Sequence, residues 1–156
     1  MKENQKKEDL PDVDEGNNGA NLIDEKKILV NFYDLCEGAS RLDSRIAGVL
    51  AMRKGKILAA SNGAGAALPS DEYLSKLIPQ AEMMIGIPLA NRAFFGDFNF
   101  TLVSYARIDT ILYYLKNQNV ILGVAMLPPY DMNAVVGKIR KLLELYYLPS
   151  ETSTIP

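Results

Sequence analysis

The stretch PSDEYLSKLIPQAEMMIGIPLANRAFFGDFNFTLVSYAR, from Pro69 to Arg107, reads as a helix that passes through a short break into a strand. Ser70 or Asp71 is placed to cap the helix. From Tyr73 to Ala90 the only polar side chains are Ser75, Lys76, Gln80 and Glu82, so apolar groups run around most of the circumference. Leu74, Leu77, Ile78, Ala81, Met84 and Ile85 make one stripe, and Tyr73, Met83 and Ile87 widen it. Such a helix needs cover on two sides. A domain of ordinary size covers one side with its own sheet, and a second copy of the same element across a symmetric interface is expected to cover the other. Pro79 removes a backbone donor and is expected to bend the helix, at a cost of about 3 kcal/mol that packing must outweigh.

Working upstream, IAGVLAMR (Ile46 to Arg53) and KILAAS (Lys56 to Ser61) are short apolar runs joined by Lys54-Gly55, a tight hairpin with the glycine in the left-handed position. The first run is apolar on both faces and is expected to be a central strand. Downstream, Gly96-Asp97 breaks the helical pattern, and three strands are predicted over Asn99 to Ala106, Thr110 to Lys116 and Val120 to Leu127. Their short turns make an antiparallel meander. The last strand, VILGVAML, is apolar throughout and is also expected to be central. After Pro128-Pro129, Asp131 is the cap of a final helix with the stripe Met132, Val135, Val136, Ile139, Leu142, Leu143 and Tyr146. A first helix from Asn21 or Asp24 carries Leu22, Leu29, Phe32, Tyr33, Cys36 and Ala39 on one face. If both fully apolar strands are central they must be neighbours. The fold class is then α/β (α+β), a five-stranded antiparallel sheet of order 2-1-5-4-3. The middle helix covers one face, and the first and last helices cover the other.

The 156 residues are sufficient for one domain, expected over 22–148, with an acidic leader at 1–21 and a C-terminal tail at 149–156. Residues 1–24 hold three lysines against seven acids, and too few apolar side chains up to Asn21 to offset the entropy of ordering it, so the leader is expected to be disordered. A net charge of -2 forecasts neither nucleic acid nor an anionic membrane as partner. No run approaches 18 consecutive apolar residues, and one cysteine makes no internal disulfide; a cytoplasmic protein without membrane insertion is expected.

These elements resemble the roadblock (dynein light chain) family, within the profilin-like and longin-like sandwiches. The resemblance runs from about Ile28 to Leu145. It is carried by Ile46-Ala47-Gly48-Val49-Leu50-Ala51, Gly55 and Ile57-Leu58-Ala59-Ala60-Ser61, by LVSYARIDTILYYLKNQNVILGVAML, by the closing helix from Asp131, and above all by the order of elements. The chain departs from the family in a tighter first hairpin, in Pro79 and Pro88 within the middle helix, and in the acidic leader. The resemblance implies a homodimer or heterodimer in which two middle helices lie side by side and two third strands meet edge to edge. The dimer surface it implies comprises Leu74, Leu77, Ile78, Ala81, Met84 and Ile85 with Phe100, Leu102 and Ser104. It also implies a small Ras-like GTPase as partner, scaffolded or regulated; some members instead bind dynein intermediate chains, and some microbial members stimulate GTP hydrolysis.

The inventory narrows the chemistry. The chain has no histidine, and its one cysteine, Cys36, lies in an apolar stripe as a core thiol. Zinc sites and histidine-based triads are therefore excluded, and no GxxxxGK[ST] is present to hold a nucleotide. GAGAAL, after a strand and before a helix, imitates a dinucleotide-binding turn, but Leu68 stands where the third glycine belongs and a hairpin precedes it. No cofactor is expected. The aromatic series Phe94, Phe95, Phe98, Phe100, Tyr105, Tyr113 and Tyr114 lacks a basic groove and is assigned to core and dimer packing rather than to base stacking. The expected function is a non-catalytic dimeric scaffold or regulator of a small GTPase. The alternatives are a small-ligand sensory module of similar topology and a cytoskeletal-motor adaptor subunit.

Overall fold

The computed structural model describes residues 32–64 and 69–147. The acidic leader, the first helix before residue 32 with its Leu22 and Leu29, and the tail at 149–156 lie outside the described residues. Helix α1 is described over 32–40. It is followed by β1 (Ile46–Arg53), β2 (Lys56–Asn62), α2 (Asp71–Ala90), a one-turn α3 (Arg92–Phe95), β3 (Thr101–Ser104), β4 (Asp109–Leu115), β5 (Val120–Met126) and α4 (Met132–Tyr147).

The strands form one antiparallel sheet of order β2-β1-β5-β4-β3. Its two apolar strands, β1 and β5, lie side by side in the middle. The β1–β2 turn holds both Lys54 (φ 49°) and Gly55 (φ 75°) in the left-handed region, the two-residue geometry whose twist matches the flanking strands. β3 is shorter than its apolar pattern predicts, four residues rather than eight.

Each face of the sheet has its own core. On one face, Phe32, Leu35, Cys36 and Ala39 of α1 and Val135, Val136 and Ile139 of α4 pack on Val49, Ile111, Leu122 and Val124. On the other, Ile78, Ala81 and Ile85 of α2 pack on Met52, Leu112 and Ile121. Cys36 is fully buried, and burial pushes its thiol up to about 12, as suits a core thiol. Two stripe assignments need correction. Tyr33 and Tyr146 are exposed, because Leu35 takes the inward position on α1 and α4 carries Tyr146 past the end of the sheet contact.

Local polar contacts fix the helices. The Ser70 hydroxyl accepts from the Tyr73 amide, and Asp131 Oδ1 accepts from the Ala134 amide at 3.1 Å, so both expected caps are made. Lys138 ties α4 to the α1–β1 loop, donating to the Leu42 carbonyl at 3.2 Å and to Asp43 Oδ2 at 3.0 Å. The Arg45 amide and then Lys138 hold the Asp43 carboxyl below the usual carboxylate range.

Candidate functional site

The sheet presents a size gradient to α2. On that face, cross-strand pairs of β1 and β5 run from Gly48–Ala125 through Leu50–Gly123 to Met52–Ile121. A helix laid over this surface rests on the tall end and stands away from the short end. Ile78, Ala81 and Ile85 meet Met52, Leu112 and Ile121 at the tall end. There Glu82 Oε1 accepts the Gly55 amide at 2.7 Å and pins the helix to the β1–β2 turn. Under the N-terminal half of α2 a groove of about 560 Å³ remains, with Ala47, Gly48, Gly123 and Ala125 on its floor. Tyr73, Leu74 and Leu77 overhang it, and Val103, Tyr105 and Ile108 bring its far wall to the edge strand β3. A Cβ at Gly123 would lie 3.2 Å from the Met52 methyl, a tight fit that the methionine would have to yield to by a few tenths of an ångström.

The flank of α2 that borders the groove carries a second stripe, mostly apolar. Tyr73, Leu77, Gln80, Met84 and Ile87 fall at alternating steps of four and three, and the spacing continues through Asn91 to Phe94. Asn91 (φ -94°, ψ 3°) caps the C-terminal end of α2, and the one-turn α3 follows it directly, with the Phe94 and Phe95 amides both bonded to the Asn91 carbonyl. Tyr73 (55%), Met83 (62%), Ile87 (63%), Phe94 (86%) and Phe95 (86%) are exposed. The helix runs on through Pro79 and Pro88.

Beside this stripe, β3 pairs only with β4 and forms one edge of the sheet. The other edge, β2, opens with Lys56 next to Lys54, charges that discourage pairing with another chain. TLVS in β3 carries none.

The residues expected at a dimer surface take different places in the subunit. Leu74, Ile78, Ala81 and Ile85 are at most 7% exposed, turned toward the subunit's own sheet and groove, so they offer little surface to a partner. Leu77 and Met84 belong to the second stripe and are both half-buried; both line the groove, and Met84 packs against the Met52–Ile121 core. Phe100, Leu102 and Ser104 share one face of the β3 segment, the α1–α4 face; Phe100 packs against Tyr113 with ring centroids 5.8 Å apart, and Leu102 and Ser104 are exposed. Thr101 and Val103 take the α2 face. Phe94 and Phe95, assigned only generally to packing, are the most exposed large apolar side chains among the described residues. The position of Phe94 on the same four-three spacing, with Phe95 beside it, was the signal available in the sequence.

At the far end of β3, Asp109 is covered but shallow. Its Oδ2 accepts from the Tyr130 hydroxyl at 2.7 Å, while Oδ1 has no partner within strict geometry. The Ser104 hydroxyl across the strand pair, and then Tyr130, hold this carboxyl below its usual range despite burial. Among the described residues no cluster of histidine, cysteine and carboxylates is placed to hold a metal ion. None of the described helices is long and apolar enough to cross a membrane.

No protein-family model matches the sequence, and no curated protein matches it. Solved structures do. A roadblock/LC7 domain from Streptomyces avermitilis superposes with a TM-score of 0.59 at 10% identity, over 72% of this chain and 92% of that one. An MglB solved in a tetrameric arrangement gives 0.57 at 16% identity, over 78% and 87%. The gliding protein MglB from Thermus thermophilus gives 0.54 at 16% identity, over 76% and 87%. At these identities the likeness lies in the backbone. The element order, the 2-1-5-4-3 sheet and these superpositions agree: this chain has the roadblock fold.

Proposed function

We propose that the chain is a non-catalytic, dimeric roadblock-type module of the cytoplasm that binds a small Ras-like GTPase as scaffold or regulator. The observation that carries the proposal is the continuity of the exposed apolar stripe of α2 with the uncharged edge of β3. A second copy related by a two-fold axis covers both at once: stripe packs on stripe, and edge pairs with edge into one continuous sheet across the two copies. The paired helices then form a platform broad enough for a folded partner, which one subunit does not offer. An MglB with a tetrameric arrangement is among the solved structures of this fold, which supports assembly as the working state. The GTPase follows from the resemblance to roadblock proteins, and the missing histidines and clustered acids favour binding over catalysis.

The test is a pull-down with Ras-like GTPases from the same source, each loaded with GDP or with a GTP analogue. Preferential capture of one nucleotide state supports a regulator, and equal capture of both supports a scaffold. Failure to capture any of them contradicts the GTPase assignment.

The groove under α2 favours a second reading, a sensory module for a small apolar ligand. Its volume of about 560 Å³ lies within the range of ligand sites, although it opens to the surface along α2. A metabolite that raises the melting temperature in proportion to its occupancy supports that reading, and a melting temperature unmoved by a broad panel argues against it.

A further inference from the structure

The groove and the exposed phenylalanines lie at opposite ends of the α2–α3 segment. The groove is under Tyr73 to Leu77, the end of α2 at Ala90 is about 13 to 17 residues further on, some 20–26 Å away at a helical rise of about 1.5 Å per residue, and Phe94-Phe95 follow in α3. Within one subunit the two never meet. In an antiparallel pair of such segments they are brought together twice. The stripe Tyr73, Leu77, Gln80, Met84, Ile87, Asn91, Phe94 has Met84 as its middle member. A two-fold axis there sets Phe94 and Phe95 of each copy opposite Tyr73 and Leu74 of the other, at the groove mouth.

The geometry points to Phe94 and Phe95 inserting into the groove beneath the N-terminal half of α2 in a second copy of this chain, so that each copy completes the other's half-empty core. The inference rests on the dimer proposed above and names what fills its groove. Three observations select a second copy as the occupant. First, the groove floor is alanine and glycine at its deep end, and its walls are mostly apolar, with Lys76, Gln80 and Thr110 the polar exceptions, as suits an aromatic side chain. Second, knob and groove sit on one element at positions that a single two-fold axis exchanges, which is the self-complementarity of an isologous contact. Third, the area suffices. Tyr73, Met83, Ile87, Phe94, Phe95 and Tyr105 are each more than half exposed, and at roughly 200 Å² per large side chain they offer on the order of 800 Å² per copy, the share of one partner in a standard stable interface.

The size gradient on the sheet gains a purpose from this arrangement. Met52, Leu112 and Ile121 prop the helix at the tall end, and Gly48, Gly123 and Ala125 leave unfilled the space that the partner's rings are proposed to take.

The experiment is photo-crosslinking of the full chain with p-benzoylphenylalanine in place of Phe94, mixed with isotope-labelled wild-type chain to separate adducts between copies from those within one. The mass of the mixture is followed by light scattering. The expected result is dimer mass with adducts joining position 94 to peptides of the other copy that contain Tyr73–Leu77 or Ala47–Gly48. Phe94→Asp is expected to raise the dimer dissociation constant about 30-fold or more, the loss typical of a buried aromatic anchor. A dimer whose adducts fall elsewhere overturns the insertion and leaves the dimer standing. A strictly monomeric protein overturns both. A bound small molecule retained in the groove of the dimer also overturns the insertion.

Discussion

At the scale of single residues, the most constrained backbone position is Gly63, where β2 leaves the sheet. Its amide donates to the Ala47 carbonyl at 2.9 Å, and a Cβ there would fall 1.6 Å from the Ile46 carbonyl oxygen. Backbone rather than a yielding side chain blocks the space, so Gly63→Ala is expected to cost about 1–3 kcal/mol or more, read from urea unfolding. In the sequence this glycine shows only as the first of GAGAAL, because a close approach between distant backbone segments leaves no local pattern. Asp109 gives a pH prediction. Its folded value lies below the usual 3.8, so its contribution to stability is present above that value and is lost as pH falls from about 3.8 through the lower folded value. Tyr130→Phe removes the 2.7 Å donor to Oδ2 and leaves a carboxylate that costs more to keep ionised. The variant is expected to melt lower than wild type at pH 6, with the gap narrowing toward pH 3. A gap unchanged over that range contradicts the linkage.

At the scale of elements, α2 carries two apolar stripes with different duties, and they separate experimentally. Ile85 is buried against the sheet, so Ile85→Ala is expected to cost about 2–5 kcal/mol of folding stability. Met83→Glu and Ile87→Glu change exposed positions of one subunit; they are expected to leave the secondary structure seen by circular dichroism intact while lowering the mass in solution. If the exposed pair unfolds the subunit instead, the division of duties is wrong. This division explains what the sequence revealed and what it withheld. Continuous apolar runs in β1 and β5 required central positions, and that alone set the strand order. In α2 both stripes are apolar, so composition cannot say which one faces the sheet. The answer depends on the step from Gly48–Ala125 to Met52–Ile121, a property of cross-strand register rather than of either strand alone. β3 is shorter than predicted for a similar reason: its alternation runs on to either side, but its only partner is β4, and Thr101 to Ser104 is as far as that ladder extends. The dimer positions Leu74, Ile78, Ala81 and Ile85 were drawn from the inner stripe, whereas Phe94 and Phe95 lay past an apparent helix end at Asn91.

At the scale of the whole molecule, one subunit leaves a stripe, a groove and a sheet edge uncovered on contiguous surfaces. A soluble monomer rarely exposes an apolar patch of this size. In the proposed dimer the stripe is covered, the exposed ladder of β3 is continued by its counterpart, and the two helices make the platform on which a GTPase is proposed to dock. The measurement closest to this claim is the mass of the full chain in solution by light scattering at micromolar concentration. The account predicts about twice the 17.2 kDa of the chain, falling toward a single subunit in the Met83→Glu, Ile87→Glu double variant. A wild-type protein that stays at 17.2 kDa across that range, with its fold intact, contradicts it.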